Sequence, residues 1–168
     1  MEIKQADVLT DIEQQKLFGW GENIFGVQNF TLQWRHKDLH FLVYDKGELV
    51  SHAGILKHIV SVNGEPVLVA GLGGVVTVPE AQRQGLARQA VQHAMRHAES
   101  EWKVEAGLLF CRSTMVHYYE ALGWQLVKAP VMIEQPGGNI PSPLHVMVLP
   151  FGQMTWPSGV VELQSLPW

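Results

Sequence analysis

The sequence predicts an α/β fold (α+β in its segregation), with a mixed, mostly antiparallel central sheet of about six or seven strands flanked by helices. Three observations predict it. Two apolar runs of strand character meet at Asn63-Gly64, a pair that takes positive φ readily and closes a tight hairpin. A helical repeat follows, with Ala87, Val91, Ala94, Met95, Ala98 and Trp102 on one side and Arg88, Gln92, Arg96 and Glu99 on the other. The apolar run Ala106–Cys111 then returns to strand character, giving a strand–helix–strand unit beside the hairpin.

Taken in order, Glu2–Gln5 reads as a first short strand. Thr10 or Asp11 caps a helix through Glu13, Lys16 and Leu17, which Gly19 and Gly21 end. The aromatic stretch Trp20–Lys37 has room for a second short helix. Strands are expected at His40–Asp45, Leu49–Val62 and Pro66–Val78, antiparallel in sequence. After the amphipathic helix and Ala106–Cys111 comes a helix over Met115–Leu122, stopped by Gly123. Gln125–Gln135 and His145–Pro150 read as the last two full strands, and Val160–Leu163 as an edge strand in a proline-containing tail. No repeat or low-complexity linker divides the chain, so residues 1–168 are expected to form a single domain.

Composition narrows the function. In 168 residues, 46% are apolar and 17% charged, which fits a packed protein rather than a disordered one. The net charge of −4 argues against nucleic acid as a partner, whose binders are basic. The single cysteine, Cys111, cannot form an internal disulfide. No secretory apolar core opens the chain, and Val67–Val78 is too short and glycine-rich to span a bilayer. A cytoplasmic protein without a membrane partner is the expectation.

The chemistry gathers at Gly71–Ala87, GLGGVVTVPEAQRQGLA. A strand that feeds a glycine turn at a helix N-terminus leaves several backbone N–H groups unpaired and parallel, and the helix dipole adds positive potential there. Gln82, Arg83, Gln84, Gly85, Leu86, Ala87 and Arg88 therefore form a candidate pyrophosphate-binding turn. The Q-x-x-G-x-A pattern resembles the coenzyme A loop of the GCN5-related N-acetyltransferases. About thirty residues on, His117-Tyr118-Tyr119-Glu120-Ala121-Leu122-Gly123-Trp124 is similar to the closing F-Y-x-x-x-G-F segment of that superfamily. The resemblance runs from about His40 to Pro150 and implies a sheet splayed at the cofactor strand.

It further implies acetyl-CoA as co-substrate, no metal, and direct attack by an amine on the thioester. Val75, Val76 and Thr77 would lie along the pantetheine, with Gly71, Gly73 and Gly74 permitting a bulge and the N–H near Val75 facing the thioester carbonyl. Tyr119 takes the place of the general acid, since a phenol of pKa near 10 keeps its proton at neutral pH. His52 is the first candidate base, with His145 and Glu134 behind it. Deprotonating a lysine-like amine at pH 7 costs about 4.6 kcal/mol, and an amine of pKa near 8 only about 1.4 kcal/mol. Cys111 reads as a small structural thiol, and His93 and His97 as a solvated pair.

Within the superfamily, Val50-Ser51-His52-Ala53, Tyr119–Trp124, Val146–Pro150 and Trp156-Pro157-Ser158-Gly159 are most similar to the aminoglycoside 2′-N-acetyltransferases. Gly73 stands where that family carries a glutamate, and Ser142 and Pro143 where it carries paired aspartates. Polycations need such carboxylates. Trp20, Phe25, Trp34 and Trp156 suggest a more apolar pocket. The expected function is acetyl transfer to the primary amine of a small molecule, and a homodimer is compatible with it. A protein N-acetyltransferase and a non-catalytic acyl-CoA-binding module are the alternatives.

Overall fold

A computed structural model describes every residue from Met1 to Trp168. Ten strands join in one sheet. They are β1 (Glu2–Ala6), β2 (Leu39–Asp45), β3 (Glu48–Val62), β4 (Glu65–Thr77), β5 (Ala106–Cys111), β6 (Gln125–Leu126), β7 (Val131–Gln135), β8 (Gly138–Pro141), β9 (His145–Pro150) and β10 (Val161–Glu162). The α-helices are α1 (Asp11–Phe18), α2 (Leu86–Ser100) and α3 (Val116–Ala121). The order across the sheet is β6-β9-β5-β4-β3-β10-β7-β8, with β2 also beside β3 and β1 outside β2. Only β4–β5 and β10–β7 are parallel, so the mixed, mostly antiparallel class is as expected.

Local chemistry accounts for the early elements. Thr10 Oγ1 accepts from the Glu13 N–H at 3.2 Å while the Glu13 carboxylate accepts from the Thr10 N–H at 2.8 Å. This reciprocal box makes Thr10, rather than Asp11, the cap of α1. Asn63 and Gly64 adopt φ of 50° and 83°, and the β3–β4 register closes on them as Val62 opposite Glu65.

Helix α2 covers one face of the sheet. Leu86, Ala90, Val91, Ala94, Met95 and Ala98 pack into a core with Phe41, Ile55, Leu72 and Leu109. Each large side chain buried there contributes roughly 1.5–3 kcal/mol. Leu56, Val60, Val69, Leu108 and Ile133 form a second core with Leu163 and Trp168 of the tail, and Leu17, Leu42, Leu49 and Val76 a small third one.

Four expectations need correction. Trp20–Lys37 holds no second α-helix, only a single 3-10 turn at Gln28–Phe30. Gln125–Gln135 is two strands, not one: β6 pairs with β9, while β7 lies in the opposite half beside β10. Pro130 separates the halves, and its missing N–H cannot extend a ladder. The tail strand is interior, since β10 sits between β3 and β7 with Val161 wholly buried. Finally, His93 and His97 are only partly solvated: each also packs edge-on against Phe41, with ring centroids 5.4 and 5.5 Å away.

Candidate active site

β4 and β5 separate in mid-sheet. Their pairing runs from Val69 opposite Ala106 to Leu72 opposite Leu109 and then stops, although both strands continue. The cause lies on the other side of β4. Opposite β3, the register jumps from Gly54–Gly73 to His52–Val76, so β4 carries one extra residue. Gly74 absorbs it at φ +61°, a conformation open to glycine at little cost. The bulge turns β4 away from β5 and exposes an edge at Gly73, Gly74 and Val75, all of which line a cavity of about 860 Å³. Leu109, Phe110 and Cys111 of β5 and Tyr119 of α3 form the facing wall.

β4 then runs to Thr77, where Gln82 Nε2 donates to the Thr77 carbonyl at 3.1 Å and ties down the turn before α2. Arg83 and Gly85 both take positive φ, 64° and 76°. No side chain caps α2, and residues Gln82–Gly85 and Arg88 are exposed. The first-turn amides of Leu86, Ala87 and Arg88 thus have no intrahelical partners, the first bond into the helix running from the Gln89 N–H to the Gly85 carbonyl. A Cβ added at Gly85 would meet nothing within 4 Å, so the turn is open to an approaching anion. Val76 is buried, and Thr77 Oγ1 lies 3.0 Å from Ser51 Oγ, so of these strand residues Val75 is the one on the cavity.

Tyr119 is buried, with its ring edge-on to Tyr118 and Trp124 at 5.0 and 6.0 Å. Burial, with lesser contributions from Tyr118 and Cys111, raises its pKa well above the usual phenol range. It therefore holds its proton at neutral pH. Cys111 lines the same wall, and burial pushes its thiol up to about 11, so it is no thiolate.

His52 reaches the cavity floor but is only 2% exposed. Its Nδ1 lies 2.6 Å from the Gly74 carbonyl oxygen and its Nε2 2.8 Å from His40 Nδ1. A carbonyl only accepts, so His52 donates from Nδ1 and accepts at Nε2 from His40. His40 is left with a free lone pair on Nε2, and it too lines the cavity. Burial is the main cause that lowers both imidazoles, His52 to about 3, so both are neutral at pH 7. With both nitrogens engaged, His52 has no lone pair to offer a substrate; the imidazole that has one is His40.

His40 escaped sequence reasoning because its partnership depends on register. It lies opposite Gly54 on β3, and His52 is the diagonal neighbour on the same face. The other base candidates, His145 on β9 and Glu134 on β7, do not line the cavity. Of the four aromatics, Phe25 and Trp34 line it. Trp20 instead donates to the Leu17 carbonyl, and Trp156 packs beneath the second core. Lys37, which the sequence did not single out, lines the cavity beside His40 and is mostly buried.

The family described as acetyltransferase (GNAT) domain matches residues 27–127, and the chain belongs to it. It is similar to the GNAT family N-acetyltransferase YhbS from Escherichia coli, solved in complex with CoA. That likeness has a TM-score of 0.60 and 16% identity over 96% of this chain and 88% of that one. Similarity extends to the ribosomal-protein-S18-alanine N-acetyltransferase from Escherichia coli (TM-score 0.54, 20% identity, 93% of this chain and 100% of that one). N-acetylglutamate synthase from Neisseria gonorrhoeae, complexed with coenzyme A and N-acetyl-glutamate, matches with a TM-score of 0.58 and 9% identity, over 91% of this chain and 36% of that one. At these identities the likenesses speak to fold. No curated protein matches the chain.

Proposed function

We propose that the whole chain acts as one acetyl-CoA-dependent N-acetyltransferase domain that acetylates the primary amine of a small molecule. The observation that carries this reading is the bulge at Gly74, which opens the β4 edge on a cavity while the same strand ends at the uncapped turn of α2. A pyrophosphate fits that turn because the unpaired amides, Arg83 and Arg88 offer charge and Gly85 offers space. The Val75 N–H serves as the donor to the thioester carbonyl.

Acetyl-CoA supplies the activated acyl group. The amine nitrogen forms the new C–N bond as the C–S bond breaks. His40 takes the amine proton at Nε2, held in its tautomer by His52 and the Gly74 carbonyl. Tyr119 gives its phenolic proton to the leaving thiolate. The resemblance to aminoglycoside 2′-N-acetyltransferases is not carried to the substrate. Ser142 Oγ is turned to the Leu144 carbonyl, and Gly73 brings no carboxylate to the wall.

Calorimetric titration with acetyl-CoA, wild type against Gly85→Glu, tests the reading. A Cβ at Gly85 meets nothing within 4 Å, its φ of +76° costs a residue with a Cβ about 1–2 kcal/mol, and a thermal melt checks that the variant folds. Its carboxylate competes with the pyrophosphate for the helix amides. Wild-type binding weakened at least about tenfold in Gly85→Glu, with thiol release on adding an amine, is the expected result. Wild-type protein that does not bind acetyl-CoA overturns the reading.

A further inference from the structure

The segment between α1 and β2 crosses the gap that the bulge opens. At its start the Phe18 ring lies over the bulge, with Cζ 3.9 Å from where a Cβ on Gly74 would sit. Further on, Gly26 takes φ of +68° and packs on Arg112, just past the end of β5. A Cβ at Gly26 would fall 2.6 Å from the guanidinium carbon. Phe25 sits between these two points and lines the cavity.

Three rings run from this segment to the proton relay. Phe25 packs on Phe18 with centroids 6.1 Å apart, and Phe18 meets His52 edge-on at 5.4 Å. His52 is bonded to His40, whose free Nε2 lone pair belongs to the same cavity. Ile24 and Val27, close to Phe25 in the chain, extend the apolar lining. Phe25 nevertheless leaves 40% of its surface exposed. An exposed aromatic ring inside a pocket gains contact when an apolar group of a ligand covers it.

The charged groups of the lining are held elsewhere or face solvent. Arg35 Nη1 donates to Ser165 Oγ at 3.3 Å and to His58 Nδ1 at 3.0 Å. Gly54 and Gly73 face each other across β3 and β4 and admit the Lys37 stem, a Cβ on Gly54 falling 2.7 Å from Lys37 Cγ. Lys37 Nζ lies 2.8 Å, and the carboxyl carbon of Trp168 3.1 Å, from the place of a Cβ on Gly73, so this ammonium has a carboxyl neighbour. Asp7, Glu22 and Arg112 are exposed. The line from Phe25 through Phe18 to the neutral His52 carries no charge.

We infer that the acceptor is a primary amine borne on an aromatic or comparably apolar ring, which packs on Phe25 and Phe18 while its nitrogen faces His40. The inference rests on the acetyltransferase reading and names its substrate class. Beside these rings the free amine is favoured over the ammonium, because apolar surroundings disfavour charge. That eases the passage of the proton to His40.

The test compares 2-phenylethylamine and benzylamine with propylamine and ethanolamine in a thiol-release assay with acetyl-CoA, each rate expressed per free base. Phe25→Ala removes the ring from an exposed position, Phe25→Tyr keeps it, and thermal melts check that both fold. The ringed amines are expected to exceed the others at least about tenfold in kcat/KM in the wild type. In Phe25→Ala that preference collapses, chiefly through KM, while Phe25→Tyr retains it. Equal rates for ringed and ringless amines, a preference unchanged in Phe25→Ala, or its equal loss in both variants overturns the inference. If no amine releases thiol, calorimetry of the CoA-loaded protein with 2-phenylethylamine decides. Saturable binding weakened at least about tenfold in Phe25→Ala supports the site, and no binding by the wild type overturns it. Failure to bind acetyl-CoA is a separate result that refutes the acetyltransferase reading, and the same amine titration on the CoA-free protein still decides the inference.

Discussion

At the scale of single residues, the candidate site divides into side chains that keep a proton and side chains that can take one. Tyr119 keeps its own because burial disfavours the phenolate. His40 can take one because the His52–Gly74 relay fixes the donor on Nδ1 and leaves Nε2 free. The two lie on the same cavity, as the acid and base roles proposed for them require. Replacing Tyr119 with Phe removes one oxygen from a packed ring and leaves the aromatic contacts with Tyr118 and Trp124 in place. General acid catalysis contributes about 10²–10⁴-fold, so kcat is expected to fall roughly a hundredfold with acetyl-CoA affinity little changed. Steady-state kinetics beside a calorimetric titration checks this. A kcat within a factor of about two of wild type would remove Tyr119 from the acid role.

Among the elements, β4 carries most of the functional geometry. Its first half is an ordinary buried strand, parallel to β5 as far as Leu72. Its second half pairs only with β3, and the one-residue bulge at Gly74 makes the difference. Alanine at this position meets two penalties. Left-handed backbone costs a residue with a Cβ about 1–2 kcal/mol. The new Cβ also comes 3.1 Å from His52 Cε1 and 3.3 Å from Nδ1, tight contacts with a ring that cannot retreat. Gly74→Ala is therefore expected to lower stability by about 1–3 kcal/mol, or roughly 2–12 °C in Tm for a domain of this size. Differential scanning calorimetry measures it; an unshifted Tm would mean that the bulge relaxes without cost. Gly71 has a different task. A Cβ there would fall 2.3 Å from the Trp168 ring, whose Nε1 donates to the Leu108 carbonyl at 3.0 Å. The glycines of β4 thus admit a tryptophan at one point, a lysine stem at the next and a bulge at the third.

At the scale of the whole molecule, global stability should carry the signature of the buried basic groups. His52 has a folded pKa of about 3 against an ordinary value of 6.5, so on acidification the unfolded chain protonates first. Its contribution is full above pH 6.5 and is lost as the pH falls toward 3. Between pH 7 and pH 5, largely above the carboxylate range, His52 alone removes about 2 kcal/mol, and His40 acts in the same direction. At the alkaline end, Lys37 raises stability between about 8 and 10.5, but Cys111, held up at about 11, opposes it once its unfolded value of 9.0 is passed. Acid is therefore the clean arm. Urea titrations at pH 7, 6 and 5 are expected to give a falling midpoint at constant slope; a flat midpoint would refute the burial of the histidine pair.

The fold was largely legible because its signals are short-range. A capping box, an Asn-Gly turn, a six-residue apolar period on α2 and the glycine turn before it each act within a few residues, and each appears where its local chemistry demands. The glycine turn before α2 and the place of Tyr119 on α3 were readable for the same reason, through spaced motifs. Tertiary structure alone decided the rest. Which face His40 shares with His52 depends on the β2–β3 register and its irregularity at Val43–Tyr44. The space that Gly54 and Gly73 leave becomes meaningful only when a strand neighbour brings the second glycine opposite the first. Lys37 enters it from a segment with no regular structure, and β10 reaches the sheet interior from a tail with only two strand residues. Local sequence thus determined the elements and the turn that can hold a phosphate. The histidine relay of the cavity arose from long-range pairing, because contacts between residues far apart in the chain carry no local pattern to read.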